Sequence, residues 1–418
     1  MTYLPRIVDE RLAELVGGLP AVAVEGPKAV GKTRTASRLV ASTIALDDPD
    51  EVALLAADRG RLHRLPKPVL IDEWQRHPAV WDMVRRAVDD GAGPGSFVLT
   101  GSATPSAPRH SGAGRIMSLR MRPLAFSERG LERPTVSLGE LLSGSRPEIA
   151  GASSIALDDY VEEIVASGLP GVRTREGALR AELLDGYVSS IVEHDFAELG
   201  HVVRRPASLR SWFAAFAAAT SSTATYSSIL DAATAGLPEK PAKSTTIAYR
   251  DTLARLWILD ELPAWLGPRN HLAALTQAPK HHLADPALAA RLLNVGAGAL
   301  LDGSAPARGG ALLGALFESL VTMSVRVLAE ASRARVSHLR TKRGEHEVDL
   351  VVERDDGRVL AIEVKLARTA SDADVTHLRW LREKIGHDLL DAVVVTTGDV
   401  AYRRPDGIAV VPLALLGA

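Results

Sequence analysis

The sequence predicts an α/β protein of two to three domains: an open parallel-sheet domain, a central helical region with a winged-helix element, and a compact α/β domain at the carboxyl end. Three observations carry this. Residues 1–135 alternate short apolar runs with helical stretches, residues 155–300 are mainly helical in spacing, and residues 305–418 return to strand-like runs around one helix. At 418 residues the chain is also too long for one ordinary hydrophobic core.

In the first domain, AVAVEG, PVLIDE and SFVLTGS are short, apolar and end in small or acidic residues, as buried parallel strands do. Between them, KTRTASRLVAS and VWDMVRRAVDD have helical composition, and such a sheet binds ligands at the carboxyl ends of its strands. From about 131 to 154 the pattern dissolves into Pro, Gly and Ser, which marks a boundary. In the middle region TYSSILDAATAG and AKSTTIAYRDTLARLWIL flank the turn LPEKP, and the strand-like pieces LDELPAW and KHHLADP follow. Two helices around a short turn, then strands, suggest a winged helix, with Lys243, Ser244, Thr245, Thr246, Tyr249 and Arg250 near the start of the helix that would meet a nucleic-acid groove. An interdomain helix would use the same residues. LDGSAPARGG is the next joint; beyond it come a helix from Ala311, strands RVSHLRT, EVDLVVE and VLAIEVK, a helix DADVTHLRWLREKIG and a strand DAVVVTT.

Composition bounds the function. Hydrophobic residues at 46% and charged residues at 24% fit a soluble globular chain, and the absence of cysteine excludes disulfides and thiolate metal sites. The opening MTYLPRIVDERLAEL carries charges where a signal peptide needs its apolar stretch, and the run from Ala311 to Leu328 is interrupted by Glu318 and Arg326. A cytoplasmic protein without membrane association is expected. Two stretches are locally basic, Arg109–Arg133 (Arg115, Arg120, Arg122, Arg129) and Arg333–Arg343 (Arg335, His338, Arg340, Lys342); solvated faces account for each taken alone.

The stretch Gly26, Pro27, Lys28, Ala29, Val30, Gly31, Lys32, Thr33 matches G-x-x-x-x-G-K-[ST] between a predicted strand and a predicted helix that continues through Arg34. The glycines let backbone N–H groups wrap phosphates, Lys32 brings positive charge to the β- and γ-phosphates, and Thr33 offers a hydroxyl to Mg²⁺. Val69–Glu73 is an apolar strand ending in two carboxylates; Asp72 would hold Mg²⁺ and Glu73 would orient or deprotonate the attacking water. Thr100 and Ser102 end another strand, where a hydroxyl can sense the γ-phosphate. Arg115, just before the strand IMSLRM, is placed to reach the nucleotide of a neighbouring subunit, so a homo-oligomer is expected.

GPKAVGKT, LDDPD, VLIDEWQ, VLTGSA and GRIMSLRMRPLAFSE follow one another as in a bacterial and archaeal family of AAA-type ATPases, which this chain resembles. GLPGV, YVSSIVEHD and HHLADPAL extend the resemblance over most of the sequence. It implies an ATPase fused to a carboxyl-terminal domain of unknown function. Lys28 stands where that family usually has arginine; the charge is kept.

A second set of polar residues lies near the carboxyl end. Glu318 interrupts an apolar helix, Asp349 sits in EVDLVV, and Glu363 and Lys365 share one face of the next strand because side chains alternate. A carboxylate pair can bind Mg²⁺ or Mn²⁺, and a nearby lysine can position water. An edge-exposed Glu–Lys pair with an unrelated Asp would read the same. The set resembles the PD-(D/E)XK nuclease superfamily, with Asp349, Glu363 and Lys365 as the core, Glu318 as the accessory acid, and Val348 in place of its proline. Nucleic acid, DNA rather than RNA, is the partner this implies; RVSHLRTKR is placed to track its backbone. His281 and His282 should point opposite ways on a strand, and Glu345-His346-Glu347 reads as a solvated turn. Two functions remain open: an ATPase controlling a metal-dependent nuclease or nucleic-acid-binding domain, or an ATP-dependent switch with a non-cutting nuclease-like fold.

Overall fold

The computed structural model describes residues 3–58, 60–105, 112–235, 241–266, 278–304, 310–342 and 344–418. Arg109, Arg343, most of the turn LPEKP and half of the joint LDGSAPARGG lie outside the described residues.

The amino-terminal sheet has five strands: β1 (Ala21–Glu25), β2 (Ser42–Ala45), β3 (Val69–Asp72), β4 (Phe97–Gly101) and β5 (Met117–Arg120). All are parallel, in the order β2-β3-β4-β1-β5. Every residue of β1 and β4 is buried, which explains why those strands read as unbroken apolar runs. β2 carries no such signal, since only Ile44 of its four residues is buried. The order puts β1 between β4 and β5 and sets β3 beside β4, so the carboxyl ends of β1, β3 and β4 open on one edge.

Short helices fill the middle region, among them Leu157–Ala166, Gly177–Ser190, Pro206–Ala218, Tyr226–Ala233 and Lys243–Arg255. Gly177–Ser190 runs into one π-helical turn, Ile191–Asp195, a feature that recurs at functional positions. After the last of these helices, antiparallel bridges Leu259↔Leu283 and Leu262↔Lys280 form a narrow two-stranded ribbon.

The carboxyl-terminal sheet takes in residues from outside its own stretch of sequence. β6 (Val136–Ser137) and β7 (Gly151–Ala152) come from the Pro/Gly/Ser-rich stretch, and the rest are β8 (Arg335–Arg340), β9 (Glu347–Glu353), β10 (Val359–Lys365), β11 (Leu389–Thr396), β12 (Val400–Arg403), β13 (Ala409–Pro412) and β14 (Leu416–Gly417). The main sheet runs β7-β12-β13-β11-β10-β9-β8; β8, β9 and β10 are antiparallel, while β10, β11 and β13 are parallel. Helix Thr376–Ile385 makes the crossover between β10 and β11. β7 pairs with β12 in this sheet, while β6 pairs with β14 as a separate two-stranded sheet, so the stretch 131–154 is joined to the carboxyl-terminal domain at two places; its prolines and glycines mark turns between paired segments. Helix Gly310–Ala331 is long and apolar enough to cross a membrane by length and composition, yet here Leu316, Phe317, Leu320 and Val321 are buried in the core.

The arginines between 115 and 133 correct the expectation of a solvated face. Arg129 is buried against Glu163 at 2.7 Å. Arg120, Arg122 and the helix residue Arg326 all converge on Asp260, at 3.0, 2.8 and 3.0 Å. Burial works against the Asp260 charge, but the three guanidiniums outweigh it and hold its carboxyl far below the usual range. The second basic stretch is also broken up: His338 is buried against the Ala278 carbonyl, and Arg340 bonds Thr223. Glu345-His346-Glu347 is not a solvated turn either, because Glu347 opens β9 and His346 stacks on Trp380 at 4.1 Å between centroids.

Removing one partner of a buried ion cluster leaves the others desolvated without compensation. Asp260→Ala should therefore destabilise the chain by about 3–5 kcal/mol in urea unfolding; a loss below about 1 kcal/mol, the worth of a surface pair, would show that the cluster is solvated.

Candidate nucleotide site and acid pocket

β1 delivers Glu25 to the sheet edge, and the chain then turns through Gly26. A Cβ on Gly26 would lie 2.1 Å from the Met121 carbonyl oxygen, so only glycine fits. Ala29 (φ 66°) and Gly31 (φ 99°) take left-handed conformations, the steps that curl backbone N–H groups around an anion. Lys32 begins the following helix and is 4% exposed; its Nζ donates to the carbonyls of Gly26 (2.9 Å) and Pro27 (2.8 Å). Burial pushes the Lys32 ammonium down to about 8, against the opposing pull of Glu73 and Asp72.

The neighbouring strands complete the edge. Thr33 Oγ1 donates to Asp72 Oδ1 at 2.9 Å, and Thr100 Oγ1 donates to the same oxygen. Parallel pairing of β3 with β4 places Thr100 beside Asp72. Glu73 turns the chain at φ 52°, an uncommon conformation for a glutamate, and its Oε2 accepts from Ser102 Oγ at 3.1 Å. Gln75 Nε2 donates both to Ser102 Oγ (3.0 Å) and to Glu73. The strand ends thus collect three adjoining sets: Lys32 on the loop carbonyls, Thr33 and Thr100 on Asp72, and Ser102 with Gln75 on Glu73.

Other loop residues face elsewhere. The Lys28 ammonium reaches Asp195 (2.7 Å) and Glu198 (3.2 Å), at and just past the π-helical turn, and Glu198 also meets Arg76 at 3.1 Å. The Val30 carbonyl accepts from Arg6. Arg34 lines a cavity of about 140 Å³ with Tyr3, Thr35, Met121, Pro170 and Thr174. Arg115 pairs with Asp89 at 2.8 Å. Because β5 runs parallel to β1, Arg115 lies at the amino ends of the strands, across the sheet from the loop of its own chain. Sequence reading did not single out Gln75, Tyr3, Pro170 or Thr174, although VLIDEWQ and GLPGV contain two of them.

In the carboxyl-terminal domain two of the four acid–lysine residues, Glu318 and Asp349, meet at a residue not foreseen, while Glu363 and Lys365 pair with each other. Lys280, 1% exposed, places Nζ 3.0 Å from Glu318, 2.9 Å from Asp349 and 2.8 Å from Glu347. Asp349 also accepts from the Val364 N–H at 3.0 Å, and Lys365 donates to Glu363 Oε2 at 3.0 Å. Burial opposes charge on Asp349, but Lys280 and Lys365 outweigh it and keep its carboxyl low; burial beside Asp349 pushes Glu363 up. Among the described residues no group of three or more His, Cys, Asp or Glu is arranged to hold a metal ion. Glu318, Glu347 and Asp349 are accordingly placed around the Lys280 ammonium, and Glu363 beside Lys365, so that lysine charge meets the need a cation would otherwise meet.

His281 and His282 do point apart, His281 to Glu261 and His282 to Ser319, and both are buried. On the helix Lys243–Arg255, Thr246 and Tyr249 are buried and Arg250 pairs with Asp251, which leaves Lys243 and Ser244 exposed.

Comparisons agree with this architecture. Residues 19–130 match an AAA domain, 157–298 match one domain of unknown function (DUF8612), and 313–416 match another (DUF4143). An uncharacterized protein of Mycobacterium tuberculosis is 28% identical over 414 residues, covering 96% of this chain and 82% of its own length, and one of Mycobacterium bovis matches equally. A solved Walker-type ATPase of Pyrococcus abyssi is 15% identical with a TM-score of 0.41, over 69% of this chain and 96% of its own. The chain thus carries an AAA-type ATPase-like domain joined to two domains of unknown function.

Two outcomes follow from the geometry. The charged form of Lys32 attracts phosphate; that form dominates below about 8 and is lost above it. ATP affinity of the free protein should fall as pH rises through that value, and affinity held constant to about pH 10, where ordinary lysines titrate, would contradict the burial effect. Gln75→Leu removes the donor shared by Glu73 and Ser102 and should lower ATP turnover about 10–100-fold with little change in KM; an equal rise in KM with turnover intact would place Gln75 in binding instead.

Proposed function

We propose that this protein binds and hydrolyses ATP with Mg²⁺, and that its nucleotide state governs the carboxyl-terminal domain. The observation that carries this reading is the meeting of Asp72 with both Thr33 of the phosphate-binding loop and Thr100 of the neighbouring strand, beside the buried Lys32 and the Glu73–Ser102 pair. These residues fit the magnesium–triphosphate group: Thr33 and Asp72 offer hard oxygens 2.9 Å apart, and the backbone beside Gly26 is closed to any side chain. The bound metal ion supplies charge neutralisation at the phosphates. Lys32 gives up its two carbonyl partners to hold the β- and γ-phosphates, and Thr100 keeps the Asp72 carboxylate oriented. Glu73, held by Ser102 and Gln75, accepts a proton from the attacking water or aligns it. The cavity beside Tyr3, Pro170 and Thr174 suits the base, and Arg115, remote from its own loop, is available to a second copy in a homo-oligomer.

At the other end, the reading of a PD-(D/E)XK nuclease-like domain is supported by the order helix, β8, β9, β10, helix, β11 and by Asp349 and Glu363-x-Lys365 on adjacent strands. The seating of Lys280 among Glu318, Glu347 and Asp349 favours a domain that does not cut in this arrangement over a metal-loaded nuclease with Mg²⁺ or Mn²⁺. Binding of nucleic acid or a protein partner is then its role. The test is ATP turnover by the purified chain, which Lys32→Ala should reduce to background. It is paired with Mn²⁺-dependent cleavage of duplex and single-stranded DNA, which should be absent. Turnover equal in wild type and Lys32→Ala would remove the ATPase reading, and cleavage abolished by Asp349→Ala would restore the nuclease.

A further inference from the structure

The ribbon between the middle helices and helix Gly310–Ala331 touches both functional regions. Its two strands are tied by Leu262 N–H to the Lys280 carbonyl (2.9 Å), Lys280 N–H to the Leu262 carbonyl (3.0 Å) and Asp260 N–H to the His282 carbonyl (2.9 Å). At one end Asp260 is gripped by Arg120 and Arg122. The residue between those arginines, Met121, donates its N–H to the Glu25 carbonyl at 2.8 Å and sets its own carbonyl against Gly26. Residues 120–122 therefore hold the start of the phosphate-binding loop on one side and the ribbon on the other, as alternation along an extended segment requires. Farther along, Trp265 N–H bonds the His338 carbonyl and His338 N–H the Pro263 carbonyl, which docks the ribbon on β8. Lys280 projects from this ribbon into the acid pocket.

A buried ammonium persists only where carboxylates offset its desolvation, and Glu318, Glu347 and Asp349 do so here. They are all hard oxygen donors of the kind a divalent cation takes. Beside them Glu363, 2% exposed, keeps Oε1 without a hydrogen-bond donor, so the pocket holds a buried acceptor that neither lysine meets. The side chain that fills the pocket belongs to a ribbon whose other strand, at Asp260, is gripped by Arg120 and Arg122 beside the phosphate-binding loop.

We propose that Lys280 is a displaceable plug: while seated it excludes divalent cations from the pocket of Glu318, Glu347, Asp349 and Glu363, and nucleotide binding unseats it by shifting the Arg120/Arg122–Asp260 anchor. The second half rests on the ATP-binding reading; the first does not. Mn²⁺ binding to the full chain without nucleotide, followed by the electron paramagnetic resonance signal of unbound Mn²⁺, tests the first half. Lys280→Met should bind one Mn²⁺ per chain at least about tenfold more tightly than wild type, and Lys280→Met with Asp349→Asn should lose that gain. A folded Lys280→Met chain that binds no more than wild type overturns the plug.

The unaltered chain supplies the second measurement, which holds even where Lys280→Met does not fold. Acylation of Lys280 by an amine-reactive reagent, read by mass spectrometry, should be slow without nucleotide. It should rise several-fold with a non-hydrolysable ATP analogue and Mg²⁺, and show no such rise in Lys32→Ala. Fast labelling without nucleotide overturns the plug. Protection unchanged by an analogue that equilibrium dialysis shows to be bound overturns the coupling and leaves the nucleotide reading standing; no analogue bound overturns that reading and the coupling together.

Discussion

One buried carboxylate, Asp260, joins three segments that lie far apart in sequence. Its partners Arg120 and Arg122 end the strand beside the phosphate-binding loop, and Arg326 belongs to the long helix under the second sheet. Burial costs each ion its hydration, and burial lowers Arg326 to about 9 and Arg120 to about 10 despite the nearby carboxylate. Three guanidiniums share this one carboxylate within 3.0 Å. The strand beside the phosphate-binding loop and the long helix are thereby tied together at one carboxylate.

The nucleotide edge follows from parallel-sheet geometry. Adjacent parallel strands end at the same level, so an acid at the end of β3 and a hydroxyl at the end of β4 must meet, and Asp72 and Thr100 do. The same geometry removes Arg115 from its own site, since a residue that precedes β5 lies at the strands' amino ends. On the far side of the loop, Lys28 is drawn to Asp195 and Glu198, so the helical region contacts the phosphate-binding loop directly.

The acid pocket shows how one long side chain changes the chemistry of a familiar residue pattern. Asp349, Glu363 and Lys365 occupy neighbouring strands, as their spacing requires, but the charge balance among them is set by Lys280, which arrives from a different segment. Glu347 belongs to the same group because it sits two residues before Asp349 on one strand and so shares its face.

Much of this was legible in the sequence. Fully buried strands such as β1, β4 and β11 announce themselves as apolar runs because both faces are covered, and the loop from Gly26 to Thr33 announces itself because phosphate binding needs glycine at fixed positions. β2, β12 and the paired segments of 131–154 stayed hidden, since half-exposed or two-residue strands leave too little periodicity to read. The period of two placed Glu363 with Lys365, and in the strand EVDLVVE it puts Glu347 on the face of Asp349, against the reading of Glu345-His346-Glu347 as a solvated turn. What the sequence determined by itself was therefore local: which runs are strands, and which residues can touch a phosphate. Whether Arg120 faces solvent or Asp260, and whether an acid set meets a metal ion or Lys280, depended on contacts between segments over a hundred or about seventy residues apart. Local spacing carries no information about such contacts, because they are made only when the core brings those segments together.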